Sequence, residues 1–405
     1  MATAAEPRPV PSAARKLRPV KAIGSSSEFD LLLACCADPC GDEHGERIRS
    51  ILSRPLDWER ILWLVDHHRV VPQVYSELSA LSHLVPVQHL NALRLRYQDN
   101  ARKTLWFTAE LVRLVGHLEA VGIKALPYKG PVLAQTLYGE VTRRQFGDLD
   151  ILILPTDVLK AKAALHDLGY KPAIELAPRI ETAYVKTGYE CSFSAAQGSN
   201  LLELQWRILP RFYSIDFDVA VFFERSDEIA VGGCHMRTLR AEDLLLVLCV
   251  HAAKHVWVQL SWLCDIAQLV KTGRLDWNVI HDDAQRLGIE RIVSLNLLLA
   301  QKLLGSPSHS SRQTWAFQED RSTAVLEEIL RIIERGTAYD TESLSYFRVM
   351  MRLRECWQDR ARFLWRLTVT PSVSEWLAVQ LPQPLEPLYR LVRLSRLARR
   401  LASAG

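Results

Sequence analysis

The apolar period of this chain changes near Gly122, and the change isolates a short block. Up to Val121 apolar residues recur at helical spacing; then "IKALPY" (123–128) is short and extended, and "DLDILIL" (148–154) reads as a strand closed by Pro155. That strand is an apolar run of the kind found in buried sheets, yet it opens on Asp148 and Asp150. Residues two apart on a strand share a face, so the two carboxylates project together while Leu149, Ile151 and Ile153 face the other way. Buried carboxylates are costly unless a metal, an arginine or water partners them.

Further residues point to a cation and phosphate. A hairpin is expected from "YECSFSA" and "LLELQWRI" around the turn "AQGSN". Leu202, Leu204, Trp206 and Ile208 form its apolar face, and Glu203, Gln205 and Arg207 point opposite. Pairing this strand with "DLDILIL", polar faces aligned, brings Glu203 beside the aspartates. Three such carboxylates raise one another's pKa unless a dication sits among them, and hard oxygen donors suit Mg²⁺ or Mn²⁺. Lys129 and Gly130 follow the first strand, and Pro131 is expected to begin a helix, where its missing N–H costs nothing. Gly130 permits close backbone approach, so a helix N-terminus with free N–H groups faces the carboxylates as a phosphate cradle, with Lys129 as a point charge. Arg143 and Arg144 are placed to hold a triphosphate or to neutralise the acids.

Strand, K-G turn, helix, an R-x-x-G-D-x-D strand and a later acidic strand together resemble the nucleotidyltransferase superfamily with the polymerase-β-like fold. More closely, "LEAVGIKALPYKGPVLAQTLYGE", "RQFGDLDILI" and "LLELQWRI" are similar to the bacterial uncharacterised nucleotidyltransferase family, and the likeness extends over roughly residues 28 to 398. The resemblance implies an α+β fold, a small mixed sheet with helices, flanked by N- and C-terminal helical segments. It implies transfer of a nucleoside monophosphate from an NTP, with ATP the expected nucleotide, to a hydroxyl or amine of an unidentified acceptor. Asp148, Asp150 and Glu203 would be the catalytic and metal-binding carboxylates, and Lys129, Gly130, Arg144 and Gly147 the nucleotide and phosphate contacts. Two departures stand out: Lys129-Gly130 replaces the superfamily's Gly-Ser, and Gln205 stands where the closer group often has histidine. They leave open a catalytically impaired nucleotide-binding module, and the cations and cradle suit phosphoryl transfer equally.

The rest of the chain sets the frame. Its boundaries are expected at a disordered tail (1–27), an N-terminal helical segment (28–121), the nucleotidyltransferase core (122–235) and a C-terminal helical domain (236–405). Helices are expected over "WERILWLVDHHRVVPQVYSEL", broken at Pro72; over "TLWFTAELVRLVGHLEAVG", ended by Gly122; and after Thr156 as N-cap, ended by Gly169. A formal net charge of +4 does not by itself argue for nucleic acid or a membrane, and a small-molecule, peptide or protein acceptor is expected ahead of RNA. The absence of a long apolar run, an export signal or a cysteine framework leads to the expectation of a cytoplasmic protein. Cys35, Cys36, Cys40 and His44 match no standard zinc spacing. His251 and His255, at i and i+4 with Lys254 between and Asp265 beyond, are expected to line the cleft or to pack between helices; Ala252 excludes the H-E-x-x-H arrangement. Trp257 and Trp262 are expected in the core. "LYRLVRLSRLARRLA" is expected to dock its leucines and leave Arg390, Arg393, Arg396, Arg399 and Arg400 in water.

Overall fold

The computed structural model describes residues 26–37, 42–195, 198–272, 274–306, 319–336, 343–371, 375, 379, 381, 385 and 388–403. Nearly all of the expected tail, Cys40 and the hairpin tip at 196–197 lie outside them. The architecture is α+β. Helices α1 (Ser27–Cys36), α2 (Asp42–Leu52), α3 (Trp58–His68), α4 (Val71–Ala80) and α5 (Val87–Ala120) precede the sheet. Strands β1 (Leu126–Pro127), β2 (Leu149–Leu152), β3 (Lys171–Pro172), β4 (Glu190–Ala195) and β5 (Gly198–Gln205) alternate with α6 (Gly130–Tyr138), α7 (Val158–Asp167) and α8 (Pro178–Thr187). Helix α9 (Val219–Glu224) leads to a separate hairpin, β6 (Asp227–Val231) and β7 (Cys234–Thr238). The remainder is helical: α10 (Ala241–Lys254), α11 (Leu260–Lys271), α12 (Trp277–Leu287), α13 (Glu290–Leu304), α14 (Glu319–Arg335), α15 (Leu344–Arg352), α16 (Trp357–Val369) and α17 (Tyr389–Ser403).

The five-stranded sheet has the order β1-β2-β5-β4-β3. Only the central β2–β5 pair is parallel; β1, β4 and β3 add antiparallel neighbours. A parallel neighbour requires a long crossover, and the stretch from α7 to β4 supplies it. One sheet face buries Leu149, Ile151, Leu202, Leu204 and Trp206 against Phe107, Leu111, Leu114 and Leu118 of α5 and Val158, Ala161 and Leu165 of α7. Each such Leu or Phe removed from water stabilises the fold by about 1.5–3 kcal/mol. The larger apolar cluster joins Phe29, Leu32, Leu64 and Val65 of the N-terminal helices, Leu126 and Leu133, and residues of α10 to α16 as far as Phe363.

Several local expectations are corrected. The break in the first long helical pattern falls before Pro72: Arg69 turns left-handed (φ 53°) and ends α3. Pro72 instead sits in the first turn of α4, where its missing N–H costs nothing. Helix α5 begins at Val87, well before the expected segment, and ends at Ala120, with Gly122 left-handed just beyond. Thr156 does not cap α7; it lies in a 3₁₀ turn, and the helix begins two residues later, at Val158. Pro131 is the second residue of α6, which begins at Gly130. The β6–β7 hairpin had no expected counterpart. Its Gly232-Gly233 turn has both residues at positive φ (59° and 79°), the two-residue geometry that matches strand twist.

Trp257 is fully buried and donates to Asn296 Oδ1 at 2.7 Å, whereas Trp262 rests against the rings of His251 and His255. His44 pairs with Glu77 at 3.2 Å rather than with a thiol. The orientation of α17 corrects the expectation in part: Arg390 and Arg399 are exposed as expected, but Arg393 is buried against Leu367 O and Glu375, Arg396 also meets Glu375, and Leu391 and Leu394 are exposed. The Glu375 carboxylate and the Leu367 carbonyl give the Arg393 guanidinium a charged and a polar partner in the interior.

Candidate active site

The parallel register between β2 and β5 sets Asp150 directly opposite Glu203. Because side chains alternate, the leucines at the flanking positions fill the core and the two acids share the other face. Antiparallel β4 extends the row, for Glu190 stands opposite Gln205 and Ser192 opposite Glu203. Gln205 is buried in the middle. Its Nε2 lies 3.0 Å from Glu203 Oε2, 3.3 Å from Asp150 Oδ1 and 3.4 Å from Glu190 Oε2. Its Oε1 accepts from the buried Tyr128 hydroxyl. Gln205 is thus the polar hub of the site.

Burial, then Asp150 and Glu190, push the Glu203 carboxyl up to about 7. Burial and Asp150 likewise raise Asp148, against the pull of Lys129 and Arg69. A carboxylate cluster that resists full ionisation is under-compensated by its cations.

Lys129 supplies part of the compensation. Its Nζ lies 3.0 Å from Asp150 Oδ1 and 3.4 Å from His251 Nδ1. Burial works against its charge, but Asp150, Tyr128 and Glu203 outweigh that and raise its pKa. Gly130 holds the turn at φ +56°, and a Cβ built there would stand 3.2 Å from the Asp148 carbonyl oxygen. The close approach of the α6 N-terminus to the carboxylate strand therefore needs glycine at this position. Gly147 is exposed, with open space around it.

The last turn of α10 stands over this row. His251 and His255 have ring centroids 4.7 Å apart, and burial, followed by the nearby lysines, keeps both neutral; the His255 pKa falls to about 3. Lys254 Nζ is 3.5 Å from the Tyr189 hydroxyl, which donates to Glu190 Oε1 at 2.5 Å. His251 and Lys254 thus reach the site, while Asp265 does not join the histidines. Asp265 is 1% exposed, and Arg144 grips it through three N–H···O contacts of 2.9–3.0 Å, with Tyr138 donating a fourth at 3.0 Å. Arg144 is accordingly an anchor for the β2 approach, its charge held by Asp265. Arg143 is exposed, 3.6 Å from Glu140.

A cavity of about 360 Å³ lies on the other side of Tyr138, lined by Cys36, Tyr75, Tyr97, Glu140 and Cys264 among others. None of the four carboxylates lines it, so the site is assigned on their convergence rather than on cavity size. Tyr128, Tyr189 and Glu190 are site residues that sequence reasoning missed. Glu190 was findable: it is the second residue of "YECSFSA", and antiparallel pairing places it across from Gln205. The donor set is oxygen-only and net acidic, which fits a hard dication. Among the described residues, however, no three His, Cys, Asp or Glu donors are grouped as a ligand set; Lys129 and the Gln205 amide occupy the space between the acids.

A family model described as "Uncharacterised nucleotidyltransferase" matches residues 54–305, well over half of the chain. No curated protein and no solved structure matches.

Proposed function

Because the chain belongs to the uncharacterised nucleotidyltransferase family, we propose that its carboxylate row is a divalent-cation-dependent active site that transfers a nucleoside monophosphate from an NTP to a hydroxyl or amine acceptor. The observation that carries this reading is the register of Asp150 opposite Glu203 beneath the α6 N-terminus. Asp148, Asp150 and Glu203 would hold Mg²⁺ or Mn²⁺, which supplies charge neutralisation at the phosphates and activates an acceptor oxygen. Lys129, paired with Asp150 at 3.0 Å, would add positive charge beside the cation and the phosphates. Gly130 admits the phosphates to the α6 N-terminus, where backbone N–H groups and the helix dipole favour an anion. Gln205 fixes the spacing of Asp150, Glu190 and Glu203 and, being unable to titrate, takes no proton itself. Arg144, held by Asp265, fixes the entry of β2. Much of the catalytic advantage in such a site comes from positioning, and a displacement of about 1 Å can cost ~10²-fold in rate.

No helix among the described residues is long and apolar enough to cross a membrane, which is compatible with a small-molecule, peptide or protein acceptor met in solution. The test is a thermal-shift titration with each NTP, with and without Mg²⁺ or Mn²⁺, on wild type and Asp148→Asn/Asp150→Asn. A nucleotide at 100 times its Kd stabilises by about 2.7 kcal/mol. Cation-dependent stabilisation that disappears in the double variant is expected. Absence of a shift with every nucleotide, or a shift that survives the variant, overturns the reading. Release of pyrophosphate rather than ADP then identifies nucleotidyl transfer.

A further inference from the structure

The cations of the site differ in how their charge is used. Lys129 is paired with Asp150 at 3.0 Å, and Arg144 is closed on Asp265. Lys254 comes from the opposite side. It stands one helical turn beyond His251 on α10, and residues at i and i+3 share a face. His251 meets Lys129, and Lys254 reaches past it to Tyr189, the residue before β4. There its Nζ is 5.0 Å from the Tyr189 ring centroid and 3.5 Å from the hydroxyl, and it has no ion pair among the described residues. The hydroxyl proton is directed to Glu190, so the Tyr189 oxygen turns its lone pairs toward the ammonium. This ammonium is held directly by a ring and one hydroxyl, and the carboxylates of Glu190, Glu203 and Asp150 act on it only at a distance, so it has lost water without gaining an anion in direct contact.

We propose that Lys254 is the polyphosphate anchor of this site, contacting the β- and γ-phosphates of a nucleoside triphosphate while Lys129 serves Asp150 and the α-phosphate end. The inference rests on the nucleotidyl-transfer reading and specifies which side chain holds the leaving pyrophosphate. A compact ammonium suits this task, because it is a point charge that donates to phosphate oxygens in many directions without the planar match a guanidinium requires. The row below it carries Asp148, Asp150, Glu190 and Glu203, so a singly charged acceptor carboxylate would meet more repulsion than attraction. A cation-bound polyphosphate brings its own neutralising charge. Burial depresses the Lys254 pKa and Glu190 pulls it back up, so an arriving phosphate further favours the charged form.

Isothermal titration of the full chain with Mg·ATP, Mg·AMP and inorganic tripolyphosphate tests the assignment, using wild type, Lys254→Met and Lys254→Arg. Lys254→Met is expected to weaken Mg·ATP and tripolyphosphate by about 10- to 100-fold, the effect of losing one charged hydrogen bond, and to leave Mg·AMP within about twofold. Lys254→Arg should recover most of the loss, because it retains the positive charge. The unliganded melting temperature of Lys254→Met should equal or exceed wild type, since an apolar side chain replaces a desolvated cation. Equal loss for AMP and ATP would make Lys254 a structural residue and overturn the proposal. Unchanged ATP binding in Lys254→Met would overturn it while leaving nucleotidyl transfer intact. If wild type binds neither ATP nor tripolyphosphate, both readings fall together.

Discussion

Replacing Arg144 by methionine removes one half of a buried, forked ion pair and leaves the other half stranded. In the native protein Asp265 receives two contacts from Arg144 Nε and one from Nη2, all at 2.9–3.0 Å, together with the Tyr138 hydroxyl. Without the guanidinium, a carboxylate that is 1% exposed retains a single neutral donor. Breaking such a pair costs about 3–5 kcal/mol, a large share of the roughly 5–15 kcal/mol that separates folded from unfolded protein. With a urea m-value of about 3 kcal/mol/M, the unfolding midpoint should fall by at least about 1 M. Arg144→Lys keeps the charge but not the fork, so it should lie between. The informative variant is Arg144→Met/Asp265→Leu: with both charges gone the desolvation penalty also goes, and stability should return to near wild type. Far-UV circular dichroism and tryptophan fluorescence followed through urea provide the assay. A single variant within about 1 kcal/mol of wild type, or a double variant no better than the single, would refute the reasoning.

Two further outcomes follow from local geometry. Gly130→Ala and Gly139→Ala both place a Cβ on a left-handed residue, a strain of about 1–2 kcal/mol. Only the first also meets the Asp148 carbonyl, at 3.2 Å, so Gly130→Ala should lower the melting temperature more; equal shifts would remove the close-approach argument. His68 is fully buried, its Nδ1 accepts the Leu260 N–H at 3.2 Å, and burial lowers its pKa to about 3. Below its ordinary value near 6.5 the unfolded chain gains a proton that the folded chain refuses, so stability is lost as pH falls from about 6.5, by about 1.4 kcal/mol per unit. His68→Asn, which keeps an acceptor but cannot titrate, should flatten urea stability by that slope between pH 6 and 4; an unchanged slope would place the titration elsewhere.

The parts of the site legible in the sequence were those governed by local periodicity. The alternation that sets Asp148 and Asp150 against Leu149 and Ile151 is a property of one strand, and the Lys129-Gly130-Pro131 turn is a property of three residues. Glu203 followed from aligning two polar faces, although alternation alone did not reveal that the strands run parallel. What was misread depended on distant partners. Arg144 was read toward a triphosphate or the acidic cluster because it precedes the Asp148 strand by four residues, whereas Asp265, 121 residues later, holds it. Asp265 was in turn grouped with His251 and His255 by proximity along the chain. The inward turn of Arg393 had the same cause, since nothing within α17 reveals Glu375 or the Leu367 carbonyl. Local signals missed outright, such as Gly232-Gly233 between short alternating runs, were available in the residues themselves.

The packing of α1 against α13 also has a cost in time. At roughly 5–20 residues per second of synthesis, Phe29, Leu31 and Leu32 leave the ribosome well before Leu295 and Leu299, which belong to the same apolar cluster. The interval is on the order of tens of seconds at that rate, far longer than the microseconds in which a helix forms. The first helices of the nascent chain therefore wait, already amphipathic, for a surface not yet made. Their apolar faces are thus exposed throughout that interval, and are the first surface of this chain on which a chaperone could act.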